Sequence, residues 1–242
     1  MTAHGMVGMK PFLAVWGAQC LPVPSVVLSG PGNMPGVQRM TVEVGRLLDA
    51  TLAAVEARRE RVLVFFGYLA DAGQVDEVIA CLNRRANAVA ALVVDPVCGD
   101  AGRAYVEAPL VSAWPRLIAR AAVALPNQTE LELLTGATGA TALARWRERF
   151  PGLTTIVTGL ATENEIETQV HADERVYRLT QPRRPGHFSG TGDAFAAHWL
   201  RAWHVRGFSA PAAARVAAEA VGRAIDAAIA AGTTELPVDE RD

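Results

Sequence analysis

Short apolar runs alternate with segments of helical periodicity along the first two thirds of the chain. The apolar runs predict strands at 25–28, 61–66, 91–94, 121–125 and 154–157. The periodic segments predict helices at 11–19, 37–60, 71–87, 109–120, 128–134 and 141–150. Strands that alternate with helices are typical of an α/β fold, with a mostly parallel central sheet and helices on both faces.

The pattern changes in the last third of the chain. Residues 167–171 and 175–180 alternate as the two strands of a hairpin, so antiparallel strands are expected late in the sheet. Two long helical patterns follow, at 190–203 and 211–231. Because neither an internal repeat nor a low-complexity linker interrupts the sequence, we predict one domain over residues 1–242.

Composition and charge exclude several classes of protein. The chain has 242 residues, is 50% hydrophobic and carries a net charge of -2, which argues against global disorder and against a nucleic-acid partner. It has no apolar run of about 18 residues, and Met1–Lys10 does not read as a secretory signal, so no membrane association is expected. The three cysteines are far apart, which disfavours a disulfide framework or a zinc site.

The most informative segment opens the predicted helix at 190–203. Gly190, Thr191 and Gly192 precede Asp193 there. Backbone N–H groups at a glycine-led helix start can bind one anion, and a carboxylate beside them can act as a base towards an alcohol. The alternative is a plain glycine turn in which Thr191 or Asp193 caps the helix.

Two further polar segments follow predicted strands. Asp95 and Asp100 come after the strand at 91–94, where acids suit a hydrated magnesium ion between nucleotide phosphates. Asn127 and Glu130 come after the strand at 121–125 and could contact phosphate oxygens and a metal-bound water. Asp95 could instead cap a turn, and Asn127 with Glu130 could form a helix capping box. Strand ends that converge on one edge of a sheet are what a phosphotransferase site needs.

Three of these runs together resemble the pyridoxal kinases of the ribokinase-like superfamily. The resemblance rests on Asp95–Asp100, on Pro126–Glu130 followed by Leu133–Gly136, and on Gly190–Asp193, and it extends over residues 4–240. It implies a three-layer fold and ATP-dependent phosphorylation of the 5′-hydroxymethyl group of pyridoxal. It further implies Mg²⁺, a monovalent cation (K⁺ or Na⁺), a cytoplasmic location and a homodimer.

The resemblance also implies a role for each matching residue. Asp193 matches the catalytic base, which also touches the substrate, and Gly190, Thr191 and Gly192 match the anion hole. Asp95, Asn127, Glu130 and Thr158 match ATP-binding positions, and Asp100 and Glu130 match positions near the metal. Tyr68 matches an aromatic residue beside the pyridine ring, and Ser29 lies in the expected substrate-binding loop. The alternative is that Tyr68 serves only in packing, because buried tyrosines are common at strand ends.

The residues that differ from the family pattern lie near the N-terminus. Met9 and Lys10 stand where the family usually has Asn and Ser, and 30–36 differs from its substrate loop. Since 5–8 resembles the loop that follows the family's first strand, we expect a start upstream of Met1 that would supply this strand. The alternative is a sheet that has rearranged to close the gap.

Two alternative functions stay open. One is a kinase for another hydroxymethyl heterocycle such as hydroxymethylpyrimidine, although those relatives usually carry cysteine at the position of Asp193. The other is a non-catalytic relative that binds pyridoxal phosphate or a nucleotide.

Overall fold

The computed structural model describes residues 8–29 and 35–237, and the predictions at 5–7 and 30–34 lie outside these ranges. The strands are β1 Val26–Leu28, β2 Arg39–Thr41, β3 Val62–Phe66, β4 Val89–Val94, β5 Gly99–Asp100, β6 Arg103–Ala104, β7 Val123–Ala124, β8 Thr154–Ala161, β9 Glu165–Ala172 and β10 Arg175–Pro182. The α-helices are α1 Lys10–Trp16, α2 Val44–Ala57, α3 Ala72–Arg84, α4 Ala108–Ile118, α5 Gln128–Thr135, α6 Gly139–Arg149, α7 Thr191–Leu200 and α8 Ala210–Ala230. Most predicted elements are confirmed, within a few residues at their ends.

The described chain forms two compact units, and the first contains 21–154. Its central strands β3, β4 and β7 are parallel, with Phe66 beside Val94 and Val94 beside Ala124. These three residues are buried, as expected for parallel strands covered on both faces. Because the strands run in the same direction, their carboxyl ends lie at one edge of the sheet.

Three helices of the first unit pack in sequence, α2 against α3 and α3 against α4. Gly45 near the start of α2 allows a close approach, because a Cβ built there would lie 2.6 Å from the Cβ of Glu77 on α3. The Glu77 carboxylate accepts a hydrogen bond from the Gly45 N–H at 2.9 Å. It thereby satisfies one of the N–H groups that a helix start leaves without an internal acceptor.

The second unit contains 8–20 and 155–237. Its strands β8, β9 and β10 form an antiparallel meander, in which Ala172 faces Arg175 across a two-residue turn. Asp173 and Glu174 both have positive φ in that turn, as a hairpin turn that matches the strand twist requires. Helix α7 packs against α1 and α8, and α8 also contacts β9 and β10.

One long helix was predicted wrongly. The sequence pattern predicts a helix over 37–60, but residues 39–41 form β2, which pairs antiparallel with β1, and α2 begins only at Val44. Pairing with a distant strand prevails here over a local pattern that fits a helix. The short β5–β6 hairpin was missed as well, because two-residue strands leave no periodic signal.

Candidate active site

The glycine-led segment is the N-terminus of α7, as predicted. Gly190 precedes the helix with a φ of 83°, a conformation that glycine adopts without strain. Asp193 lies in the first turn and is half-buried. Burial raises the pKa of its carboxyl group to about 7. A carboxyl group with a pKa near neutrality can accept a proton at physiological pH and give it up again.

The N-terminal segment 8–20 holds α7 from one side. The indole N–H of Trp16 donates to the carbonyl of Ala197 at 3.1 Å, and the Arg201 guanidinium donates to the carbonyl of Val15. A Cβ built on Gly8 would lie 3.5 Å from Oδ1 of Asp193, an ordinary van der Waals distance, so Gly8 lies directly beside this carboxylate. No local sequence pattern indicates this packing, because α1 and α7 are far apart in the chain.

A second segment supports the start of α7. The Ser189 N–H donates to the carbonyl of Thr234 at 3.3 Å, and Ser189 forms a parallel bridge with Glu235. Leu236 belongs to the same small apolar cluster as Ala194, the residue after Asp193. The first turn of α7 is therefore held both by the helix itself and by the chain near residue 235.

In the first unit, polar residues follow the carboxyl ends of the parallel strands. Tyr68 follows β3, Asp95 follows β4 and Asn127 follows β7. The Asp95 N–H donates to the carbonyl of Phe66 at 2.8 Å, and the Asp95 side chain is only 7% exposed. The three segments that the sequence singled out in this half therefore come to the same edge of the sheet.

The predicted capping box exists, and it also holds the loop after β4. The Asn127 Oδ1 accepts from the Glu130 N–H at 2.9 Å, and a Glu130 carboxylate oxygen accepts from the Asn127 N–H at 2.8 Å. The other Glu130 oxygen accepts from the Cys98 N–H at 3.2 Å, and the Asn127 side-chain amide donates to the Gly99 carbonyl at 2.9 Å. Burial raises the pKa of Glu130 above its usual range.

The hydrogen bonds of Glu130 and Asn127 occupy atoms that were expected to contact ATP or metal-bound water. Each Glu130 oxygen already accepts one backbone N–H, so this side chain fixes the 98–99 loop whether or not it also holds a metal-bound water. Asp100 is exposed in the β5–β6 hairpin, where its carboxylate accepts from the Ala101 N–H at 2.8 Å. Within 8–29 and 35–237, no three His, Cys, Asp or Glu side chains are grouped to hold a metal by themselves. The roles of Glu130, Asn127 and Asp100 towards ATP and metal stay predictions.

The remaining predicted residues lie in different surroundings. Ser29 is exposed and closes the β1–β2 hairpin, where its hydroxyl accepts from the Gln38 N–H at 2.8 Å. Tyr68 is half-buried, and its hydroxyl accepts a hydrogen bond from Arg39. Thr158 lies in β8 of the second unit, just before Gly159, where the register towards β9 shifts. Arg39 was not singled out from the sequence, because its partner is 29 residues away.

The chain matches one protein family over most of its length. The family model described as phosphomethylpyrimidine kinase matches residues 19–239. The chain belongs to this family. It is 36% identical to a pyridoxal kinase of Deinococcus radiodurans over 193 residues, which covers 70% of this chain and 61% of that protein. The chain spans 52% to 70% of the length of four curated relatives.

Solved structures agree with this assignment. The pyridoxal kinase of Lactobacillus plantarum superposes with a TM-score of 0.78 at 26% identity, covering 93% of this chain and 84% of that one. A Bacteroides thetaiotaomicron protein described as a phosphomethylpyrimidine kinase, crystallised with pyridoxal, gives a TM-score of 0.76 at 25% identity, covering 90% and 80% of the two chains. These neighbours confirm the predicted α/β class and the three-layer ribokinase-like fold with a mostly parallel central sheet. None of the helices in the described parts of the chain is long and apolar enough to cross a bilayer.

Proposed function

We propose that this protein transfers the γ-phosphoryl group of ATP to the 5′-hydroxymethyl group of pyridoxal. The observation that carries the proposal is Asp193, placed in the first turn of a glycine-led helix, with a pKa that burial raises to about 7. Support also comes from the relatives, since the Deinococcus and Lactobacillus proteins are both named pyridoxal kinase.

In this reaction, the glycine-led start of α7 would carry the phosphoryl transfer. Asp193 takes the proton from the acceptor hydroxyl. The hydroxyl oxygen attacks the γ-phosphorus, and ADP leaves with the electrons of the broken P–O bond. The backbone N–H groups of Gly190, Thr191 and Gly192 stabilise the negative charge of the transferred group.

The nucleotide half of the proposal rests on polar residues of the first unit, and the family resemblance adds Thr158 as an ATP contact. Asp95, Asn127 and Glu130 would face the nucleotide, and Asp100 with Glu130 would bind waters of a Mg²⁺ ion. An exposed carboxylate such as Asp100 fits this hard cation, which usually keeps several waters. When bound, the ion neutralises charge on the phosphates. A monovalent cation, a cytoplasmic location and a homodimer complete the proposal.

The main competing function is a kinase for hydroxymethylpyrimidine. The description of the matching family favours it. Asp193 speaks against it, since those relatives usually carry cysteine at that position.

A turnover assay separates these functions. The purified protein is incubated with Mg·ATP and either pyridoxal, hydroxymethylpyrimidine or no acceptor, and both ADP and phosphorylated product are measured. We expect ADP release that depends on pyridoxal and equals the pyridoxal 5′-phosphate formed. Turnover with hydroxymethylpyrimidine alone would assign the competing function, and binding of ligands without any turnover would indicate a non-catalytic relative.

A further inference from the structure

A hydrogen-bond network in the first unit joins the β1–β2 hairpin to the segment after β3. Arg39 of β2 donates through Nη2 to the hydroxyl oxygen of Tyr68. The same Nη2 lies 3.4 Å from the carbonyl oxygen of Ala70, and the guanidinium carbon lies 5.4 Å from the centre of the Tyr68 ring. One arginine therefore contacts the hydroxyl, the ring and the backbone of the Tyr68 segment.

A buried amide fixes the base of the same hairpin. Gln74 is 2% exposed, and its Nε2 donates to the carbonyls of Ser25 and Val42, at 2.8 and 2.9 Å. Its Oε1 accepts from the Ala70 N–H at 2.7 Å. Ser25 precedes β1 and Val42 follows β2, so the amide clamps the two ends of the hairpin to the Tyr68 segment.

The hydroxyl of Ser25 adds a contact to Tyr68 itself. Its Oγ donates to the Tyr68 carbonyl at 2.7 Å. The backbone of Tyr68 is thus held through Ser25 and its side chain through Arg39. Fixing both ends restricts the orientation of the tyrosine ring.

The chemistry of the two side chains sets the direction of the hydrogen bond. A guanidinium group has five N–H donors, no acceptor, and does not deprotonate in proteins. The Tyr68 oxygen must therefore accept from Arg39, which leaves the phenolic proton available for an acceptor atom elsewhere. The arrangement presents Tyr68 as a hydrogen-bond donor.

We propose that Arg39 is a positioning residue, which acts through Tyr68 to orient its ring and its hydroxyl proton towards the heteroaromatic ring of the acceptor substrate. This rests on the proposed function, because it takes Tyr68 to lie beside that ring. Arg39 would then contribute to acceptor affinity without contacting ATP.

The test is a double-mutant cycle of Arg39→Ala and Tyr68→Phe. For each variant, the dissociation constant of pyridoxal is measured by calorimetry without ATP, and KM is measured for pyridoxal and for Mg·ATP. We expect each single change to weaken pyridoxal binding about ten-fold, which corresponds to about 1.4 kcal/mol. The double variant should be little weaker than either single one, and KM for Mg·ATP should stay within two-fold.

Arg46→Ala is the matched control, because Arg46 is an arginine of the same unit whose side chain is 83% exposed in an ion pair with Glu43. Unchanged pyridoxal affinity in Arg39→Ala, or effects that add in the double variant, would overturn the inference and leave the proposed function intact. Pyridoxal binding with the expected coupling but no phosphorylation would instead overturn the proposed function alone. A protein that does not bind pyridoxal would overturn both.

Discussion

The carboxyl group of Asp193 combines two properties at the scale of a single residue. It stands at a helix N-terminus, which favours a negative charge, and it is buried enough that its pKa rises to about 7. Burial is the cause of the raised pKa. The result is a group whose charge changes within the physiological pH range.

Replacing this carboxylate tests its role as a base. Asp193→Asn should lower kcat about 10²- to 10⁴-fold, the usual contribution of a positioned base, while Mg·ATP affinity largely remains. Steady-state kinetics and nucleotide binding measure both quantities. Glu219→Gln, which changes an exposed carboxylate on α8, is the control and should keep its kcat. A near-normal kcat in Asp193→Asn would exclude the role.

The pH profile gives an independent test of the same group. Because the base must be unprotonated, kcat/KM should fall as pH decreases through about 7. In Asp193→Asn this acidic limb should disappear from the residual activity. A wild-type profile that stays flat between pH 6 and 8, a range chosen to span that value, would contradict the prediction.

Replacing Asp100 tests the proposed contacts with Mg·ATP. Since its exposed carboxylate is proposed to act on metal-bound waters, Asp100→Ala should raise KM for Mg·ATP more than KM for pyridoxal. Asp100→Asn serves as the matched variant, because it keeps an oxygen that can accept from the Ala101 N–H and removes the charge. If only KM for pyridoxal rises, Asp100 belongs to the acceptor pocket.

At the scale of elements, the contact between α2 and α3 depends on the absence of a side chain. Gly45→Ala places a Cβ 2.6 Å from that of Glu77, so the helices must move apart. We expect a loss of about 1–3 kcal/mol in the free energy of unfolding, the usual cost of overpacking. Gly192→Ala is the control for stability, because its Cβ would meet no atom within 4 Å. Urea denaturation measures both, and equal midpoints for the two variants would refute the close approach.

The sequence predicted those elements whose signals are local. The end of α5 at Gly136 and its start at Asn127 follow from residues within one turn, and both are confirmed. The start of α2 was misplaced because β2 forms only through pairing with β1, which no local pattern reveals. The same reason explains why Asp193 could be singled out from its neighbours in the chain, whereas Arg39 and Gln74 could not.

At the scale of the whole molecule, the buried carboxyl groups affect stability as a function of pH. The pKa of Asp193 is about 7 in the folded state, compared with about 3.9 in an unfolded chain. The folded state therefore binds more protons between these values, and the free energy of unfolding falls as pH rises from about 4 to about 7. Glu130 acts in the same direction, because burial also raises its pKa.

Other carboxylates act in the opposite direction. Ion pairs with Arg85 and Arg184 lower the pKa of Asp49 and Asp226 respectively, so the contributions of these two carboxylates to the free energy of unfolding are lost as pH falls below about 4.

We expect Asp193→Asn to gain stability over wild type as pH rises from 5 to 7, by at most about 1.4 kcal/mol per pH unit. Urea midpoints across this range measure the difference, and a constant difference would contradict the raised pKa.

The reciprocal bonds of Asn127 and Glu130 have a consequence for variation at these positions. Each residue satisfies the backbone of the other and also one end of the 98–99 loop, so a change at either position leaves backbone groups of both segments without a partner. In a library randomised at both positions, the stability of a variant should depend on which two residues are combined rather than on the sum of the two single effects. A loss of activity on changing either residue to alanine would therefore not by itself indicate contact with the nucleotide.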